Sequence, residues 1–430
     1  MRRGPATRIA AAARRSSLLA AMLAANVGNY LANLLLGRWL TPDAYGEVSL
    51  VITLVLVLSV IASAISQAMA RVTAEALADS RPARIATVRA AARRAALRSG
   101  VVGGLAIVAL APAMATWFHL AQPLSIAMIG LGLPLFLVQA VDRGVLQGRA
   151  RFARLGGSFL AEATARLGVG TLFVAAGFGA PGAVVGVLAS FVASWLVARD
   201  AGRGLPEADP DEGSLDRLLA EAGPIAAVLI GQVVLANADL LVVKAALPPL
   251  EAGHYAAVVL VGRAVLFIAA PIAAVVFPLV VSHERLGTDT GTIVGGSTLF
   301  VGLLVLPPVV ISALAPEAVL GALFGPRYLP GAAVLGPYVA AAALGAISWH
   351  LASVMLAKGD RRASLLTLSA AGVQLGLLAG IHARLGDVVL VVLGVQATLA
   401  IASAGLVVTS GRRARTATRP SMTAEVVATG

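Results

Sequence analysis

Apolar runs of about twenty residues alternate with short polar breaks along almost the whole 430-residue chain. A helix rises about 1.5 Å per residue, so about 20 apolar residues cross the roughly 30 Å of a bilayer's hydrocarbon core. The pattern predicts spans at 17–37, 47–70, 99–118, 123–141, 158–178, 181–198, 223–247, 254–281, 291–313, 332–356, 364–383 and 387–408. Runs this long are helical, because strands alternate and stop sooner. The expected class is therefore an all-α polytopic membrane protein of about twelve transmembrane helices. The tightest break, Gly177-Phe178-Gly179-Ala180-Pro181-Gly182, separates the fifth span from the sixth.

The cations fall between these spans in a regular way. Of 33 Lys and Arg residues, 27 lie in the N-terminus, in every second loop and in the tail, the densest loop holding Arg71 to Arg98. Only Arg38, Arg327 and Arg384 fall in the alternate loops, and Arg166, Lys244 and Arg263 lie within spans. Short loops rich in Lys and Arg stay in the cytoplasm. The alternation thus predicts an even number of spans with both termini cytoplasmic; the expected location is a cytoplasmic (inner) membrane. Arg14-Arg15-Ser16-Ser17 before the first run resembles a targeting signal, yet the apolar stretch continues to membrane length and reads as span 1.

Composition agrees and removes several function classes. The chain is 59% hydrophobic and 13% charged, with a mean hydropathy of +0.90, against about 25% charged in soluble domains. It has no cysteine, so disulfides and thiolate metal sites are excluded. No His/Cys/Asp cluster has metal spacing, and neither a Walker-type phosphate loop nor Gly-x-Ser-x-Gly occurs. No cofactor or metal is expected, and the external loops are too short for a catalytic domain. A net charge of +12 raises nucleic-acid binding. The one-sided placement of the cations explains them better as topology signals that meet anionic lipid heads.

The longest charged break, 199–222, divides the chain into a basic N-terminus (1–16), a first six-helix lobe (17–198), a linker, a second six-helix lobe (223–408) and a basic tail (409–430). A faint parallel repeat supports two halves. Leu34–Gly46 and Leu240–Tyr255 each run from an apolar stretch through a cation and a proline turn to a Gly/Tyr helix entry. Pro112, Pro134, Pro271, Pro278 and Pro307-Pro308 interrupt spans and predict kinks. Gly372, Gly376 and Gly380 at four-residue spacing predict close helix packing.

Charged groups at membrane depth are costly and are retained when paired or when they face a cavity. Arg263 lies about nine residues into its span, near mid-membrane, with no acid at helical spacing; it needs a partner on another helix or an anionic ligand. Glu162 and Arg166, one turn apart, can pair with each other or serve a gate. Asp239 can answer Arg263 or carry a coupling proton, and Lys244 can snorkel to the near surface. Asn26, Asn29, Tyr30 and Asn33 form a polar stripe suited either to interhelical hydrogen bonds or to sugar binding. His350 reads as a hydrogen-bonded interior residue.

Three passages carry a resemblance to a known family. They are Gly37–Gly46 followed by Ser66–Arg71; Asn237–Lys244 leading to Ala252–Ala256, Gly262-Arg263-Ala264 and Phe277-Pro278; and Leu323–Tyr328 with Leu356–Arg362. In this order the chain resembles the polysaccharide transporter branch of the MOP flippase superfamily, the Wzx-like O-antigen and exopolysaccharide flippases. The resemblance implies two six-helix lobes in a V, rocking between inward- and outward-open states. It also implies a cationic cavity for an undecaprenyl-diphosphate-linked oligosaccharide. By that implication Arg263, Lys244 and Arg38 are candidate diphosphate contacts and Asp239 a candidate coupling residue for H+ or Na+. The implied partners are membrane lipids, a glycan polymerase and glycosyltransferases. Two alternatives stay open at this level: a MATE-type cation antiporter, and a membrane glycan-assembly enzyme or scaffold.

Overall fold

A computed structural model describes residues 5–207, 215–266, 269–286, 288, 290–360 and 362–417. The linker residues Asp209, Asp211 and Glu212, Arg361 and the end of the tail lie outside it. Among the described residues the regular structure is helical: α1 (Pro5–Trp39), α2 (Pro42–Ala78), α3 (Pro82–Trp117), α4 (Leu124–Gly148), α5 (Phe152–Ala175), α6 (Gly179–Ala198), α7 (Leu215–Ala246), α8 (Pro249–Leu266), α9 (Ala269–Arg285), α10 (Gly291–Leu314), α11 (Pro316–Phe324), α12 (Ala332–Ala357), α13 (Arg362–Gly380) and α14 (Leu385–Ala417). Ten of them are long and apolar enough to cross a membrane. This is the expected all-α polytopic fold.

Prolines and glycines set the boundaries. Pro42 and Pro82 stand at the first turns of α2 and α3, where a missing N–H costs nothing. The tight α5–α6 connection is possible because Gly177 and Gly179 adopt positive φ of 90° and 57°, a region open to glycine without Cβ strain. The predicted span 254–281 is covered by α8 and α9, with residues 267–268 between them outside the described residues.

By contacts the chain forms two compact units. The first is 1–260 with 317–332 and 382–385; the second is 261–316, 333–381 and 386–430. In the first, α4 runs through the core. Phe136, Val141 and Val145 of α4 pack with Val51 and Met69 of α2 and with Val184 and Phe191 of α6. Pro134 interrupts α4 and leaves the Gly130 carbonyl without its usual intrahelical donor. Gly104 of α3 closes on that carbonyl so tightly that a Cβ there would collide with it. In the second unit, Val276 and Val280 of α9 pack with Val294 of α10 and Val354 of α12. His350, fully buried, meets the Ser297 hydroxyl at 2.9 Å, as an interior histidine should. Lys358 pairs with Glu284 at 3.5 Å.

The glycine stripe of α13 is a correction. Gly372, Gly376 and Gly380 are exposed, and a Cβ at any of them would meet open space. The buried face of α13 is the neighbouring one, carrying Ala371, Gln374 and Leu378. Four-residue spacing puts residues on one face but does not say which face is covered.

Candidate functional site

Two clusters in the first unit bring sequence-predicted residues together. The first is a cavity of about 410 Å³ among α1, α2, α4 and α5. Carboxamides and hydroxyls line it: Asn26 and Asn29 from α1, Ser59, Ser63, Ser66 and Gln67 from α2, Gln139 and Gln147 from α4. Phe136 and Phe159 supply aromatic faces. Asn26, Gln67 and Gln147 are exposed and form the rim, while Gln139 is buried. Asn29 faces the cavity, whereas Asn33, predicted beside it, turns its amide back to the Asn29 carbonyl at 2.8 Å. Of the polar stripe of α1, Asn26 and Asn29 line the cavity, while Asn33 bonds within its own helix.

An ion cluster borders this cavity. Glu162 accepts from Arg143 at 2.7 Å and from Arg166, its i+4 neighbour, at 3.3 Å. Arg143 also donates to the Ser158 hydroxyl at 3.0 Å and carbonyl at 3.1 Å, and its guanidinium lies 4.2 Å from the Phe159 ring centroid. Arg143 is a correction to the sequence reading, which ended the fourth span at 141 and left this cation in a loop. α4 continues to Gly148 and buries Arg143 to 12% exposure.

Two arginines of the densest basic loop are also not free to meet lipid. Arg89 and Arg93, both on α3, bind the fully buried Asp142 at 2.8 Å and 2.7 Å. Arg89 further donates to the Arg199 carbonyl at 2.9 Å. Arg149 and Arg151 bind the Arg203 carbonyl.

The second cluster is a corner where three chain passages meet. Gly253, at the start of α8, sits on the Pro42 carbonyl so closely that no Cβ fits. Gly46 is next to Gly253 and to the Lys244 ammonium. The two repeated passages, Leu34–Gly46 and Leu240–Tyr255, therefore pack on each other. The third passage closes the corner. Arg38 donates to the carbonyls of Leu323 (2.8 Å) and Ala322 at the end of α11, where orphan carbonyls attract cations. Tyr45, Phe324 and Tyr328 form an aromatic triad, Tyr328 donates to the Leu40 carbonyl at 3.4 Å, and His254 binds the Arg327 carbonyl at 3.0 Å. Parts of the three passages that carry the family resemblance, within 37–46, 237–256 and 323–328, thus meet in the first unit.

Lys244 does not snorkel. It is fully buried in this corner, its ammonium has no hydrogen-bond acceptor among the described residues, and Asp43 and Glu47 are the neighbouring carboxylates. Glu47 is itself engaged by the Ala121 amide at 2.7 Å. Asp239, also buried, accepts from the Tyr255 hydroxyl at 2.8 Å. Arg263 is half-buried on α8 and belongs to the second unit, while Lys244, Arg38, Asn29, Asn33, Asp239, Glu162 and Arg166 belong to the first.

Comparison with known proteins adds the following. A family profile described as "Polysaccharide biosynthesis protein" matches residues 35–333. No curated protein sequence matches. Among solved structures, an inward-facing multidrug resistance MATE family transporter of the MOP superfamily aligns with a TM-score of 0.76 at 14% identity, covering 91% of this chain and 96% of its own. The lipid II flippase MurJ, in an inward closed conformation, aligns with 0.72 at 11% identity, covering 91% and 87%. A MOP superfamily transporter from Pyrococcus furiosus aligns with 0.61 at 13% identity, covering 94% and 96%. At these identities the likeness is one of fold.

Proposed function

The chain belongs to the polysaccharide biosynthesis protein family, whose profile spans well over half of it, and from that membership we propose that it flips a lipid-linked oligosaccharide across the membrane. The cargo is an undecaprenyl-diphosphate-linked glycan, moved from the cytoplasmic to the outer leaflet by alternating access of the lobes 17–198 and 223–408. The observation that carries this reading is the cavity of about 410 Å³, lined with carboxamides and hydroxyls yet sunk in an apolar helical bundle. Lipid-facing helices gain nothing from such a lining, because each unsatisfied polar group at membrane depth is costly. A polar headgroup that must be dehydrated in transit would satisfy it.

In this reading both termini are cytoplasmic and the protein sits in the inner membrane. Arg263 is assigned to the diphosphate, since a guanidinium fork matches phosphate oxygens, and Lys244, fully buried, becomes a second diphosphate contact only when its corner opens. Arg38 becomes available to it only when its bonds to Ala322 and Leu323 are released. Asp239, bonded to Tyr255, is the assigned coupling group for H+ or Na+. Glycosyltransferases supply the cargo and a polymerase consumes it. A cation antiporter is less well supported: the one acid lining the cavity, Glu162, is already held by two arginines.

The test is leaflet transfer. Purified protein is placed in vesicles with a fluorophore-tagged undecaprenyl-diphosphate oligosaccharide, and a membrane-impermeant quencher is added outside. Vesicles without protein should plateau at the fraction already in the outer leaflet. Protein should drive quenching towards completion, and Arg263→Ala should return it to the plateau. Wild-type vesicles that stop at the protein-free plateau would sink the proposal.

A further inference from the structure

The cavity of the first unit has a chemistry more specific than "polar". Its charges are spent on one another. Glu162 is held by Arg143 and Arg166, and Arg143 has its Nε and one Nη engaged by Ser158 and Glu162 while its face lies on Phe159. An anionic group entering here meets two arginines already bound to Glu162, and a cation meets an acid already held by both.

The neutral groups, by contrast, are unsatisfied. Gln139 is 1% exposed, and both its amide nitrogen and its amide oxygen lack a hydrogen-bond partner among the described residues. The Asn29 side-chain oxygen is in the same state. Buried polar atoms are nearly always bonded, so a carboxamide empty at both ends demands an occupant. A carboxamide donates and accepts at once, which matches two adjacent hydroxyls or an acetamido group. Phe136, beside Gln139 on the same wall, offers an apolar face. The volume lies within the roughly 300–1,000 Å³ of small-molecule sites.

We propose that this cavity is a recognition subsite for one uncharged sugar ring, with Gln139 as the residue that reads its hydroxyl or acetamido groups. The proposal rests on the flippase reading for its biological cargo, but its chemistry can be tested separately. A site built to hydrogen-bond a hydroxyl rejects ligands that cannot complete it, so Gln139 determines specificity by being otherwise unsatisfied.

The experiment titrates the intact chain in detergent micelles with methyl glucoside, N-acetylglucosamine and glucuronate, using saturation-transfer NMR. At least one of the two neutral sugars should receive saturation, and glucuronate should receive none. Gln139→Leu, which keeps the volume, should weaken neutral-sugar binding about tenfold, the loss of roughly one hydrogen-bonded group. Absence of transfer to both neutral sugars, with wild-type protein monodisperse, overturns the proposal and leaves a cavity that holds only water. Preference for glucuronate, or unchanged affinity in Gln139→Leu, overturns it as well. Should Gln139→Leu aggregate, the rim pair Asn26→Leu with Gln147→Leu takes its place, with the same two outcomes. Sugar binding without leaflet transfer supports the subsite and sinks the flippase reading; leaflet transfer without sugar binding does the reverse.

Discussion

Lys244 is the least comfortable residue in the first unit. An ammonium fully buried without a hydrogen-bond acceptor among the described residues costs several kcal/mol in desolvation that the neighbouring carboxylates Asp43 and Glu47 recover only in part. Stability alone would replace it. Lys244→Met should therefore raise the thermal midpoint of the purified protein, by about 1–4 kcal/mol of stability, while abolishing leaflet transfer. A variant that is both more stable and fully active would remove Lys244 from the cargo path. Glu162 makes the opposite case. It pairs with both Arg143 and Arg166, so Glu162→Gln removes the acid from two buried guanidinium groups and should cost about 3 kcal/mol, seen as a lowered unfolding midpoint. The sequence disclosed half of this cluster, because Glu162 and Arg166 are one helical turn apart. Arg143 was hidden because hydropathy ends a span at its first charge, whereas a helix continues through a charge that a neighbouring helix satisfies. Gln139 was hidden for a related reason: a neutral amide in an apolar run carries no mark of whether it is bonded.

At the scale of elements, helix positions were readable from apolar length, and contacts between helices were not. Gly253 and Gly376 are both helical glycines, the first near the start of α8 and the second within α13. Gly253→Ala would drive a methyl into the Pro42 carbonyl, and should destabilise by about 1–3 kcal/mol or more through forced backbone movement. Gly376→Ala meets open space and should change stability by less than about 0.5 kcal/mol. Thermal unfolding of the two variants side by side checks both, and equal effects would mean that the α2–α8 approach is looser than described. The same logic applies where α3 meets α4. Pro134 was expected to kink its helix, but only the structure reveals that Gly104 covers the carbonyl the proline releases. A proline's position is local information; the partner that makes it tolerable lies about thirty residues away in the chain.

For the whole molecule, the informative segment is 317–332. It is counted with the first unit, yet it joins α10 to α12, which belong to the second. Its attachments are the Arg38 bonds to Ala322 and Leu323, the Tyr45–Phe324–Tyr328 triad, and the contact of His254 with the Arg327 carbonyl. Any movement of one unit against the other must either carry this segment along or undo those bonds. Most of them are single hydrogen bonds and ring contacts, worth about 0.5–1.5 kcal/mol each, a scale that cargo or ion binding can overcome. If the proposed flippase alternates between states, bonds of this strength can open in each cycle. The absence of cysteine allows a clean test. His254→Cys with Arg327→Cys, joined by a short cleavable bis-thiol reagent, should leave the protein folded but stop leaflet transfer, and cleavage of the bridge should restore it. Undiminished transfer by the bridged protein would mean that the segment travels with the first unit throughout the cycle, and that opening takes place in the chain flanking it at Pro316 and Ala332.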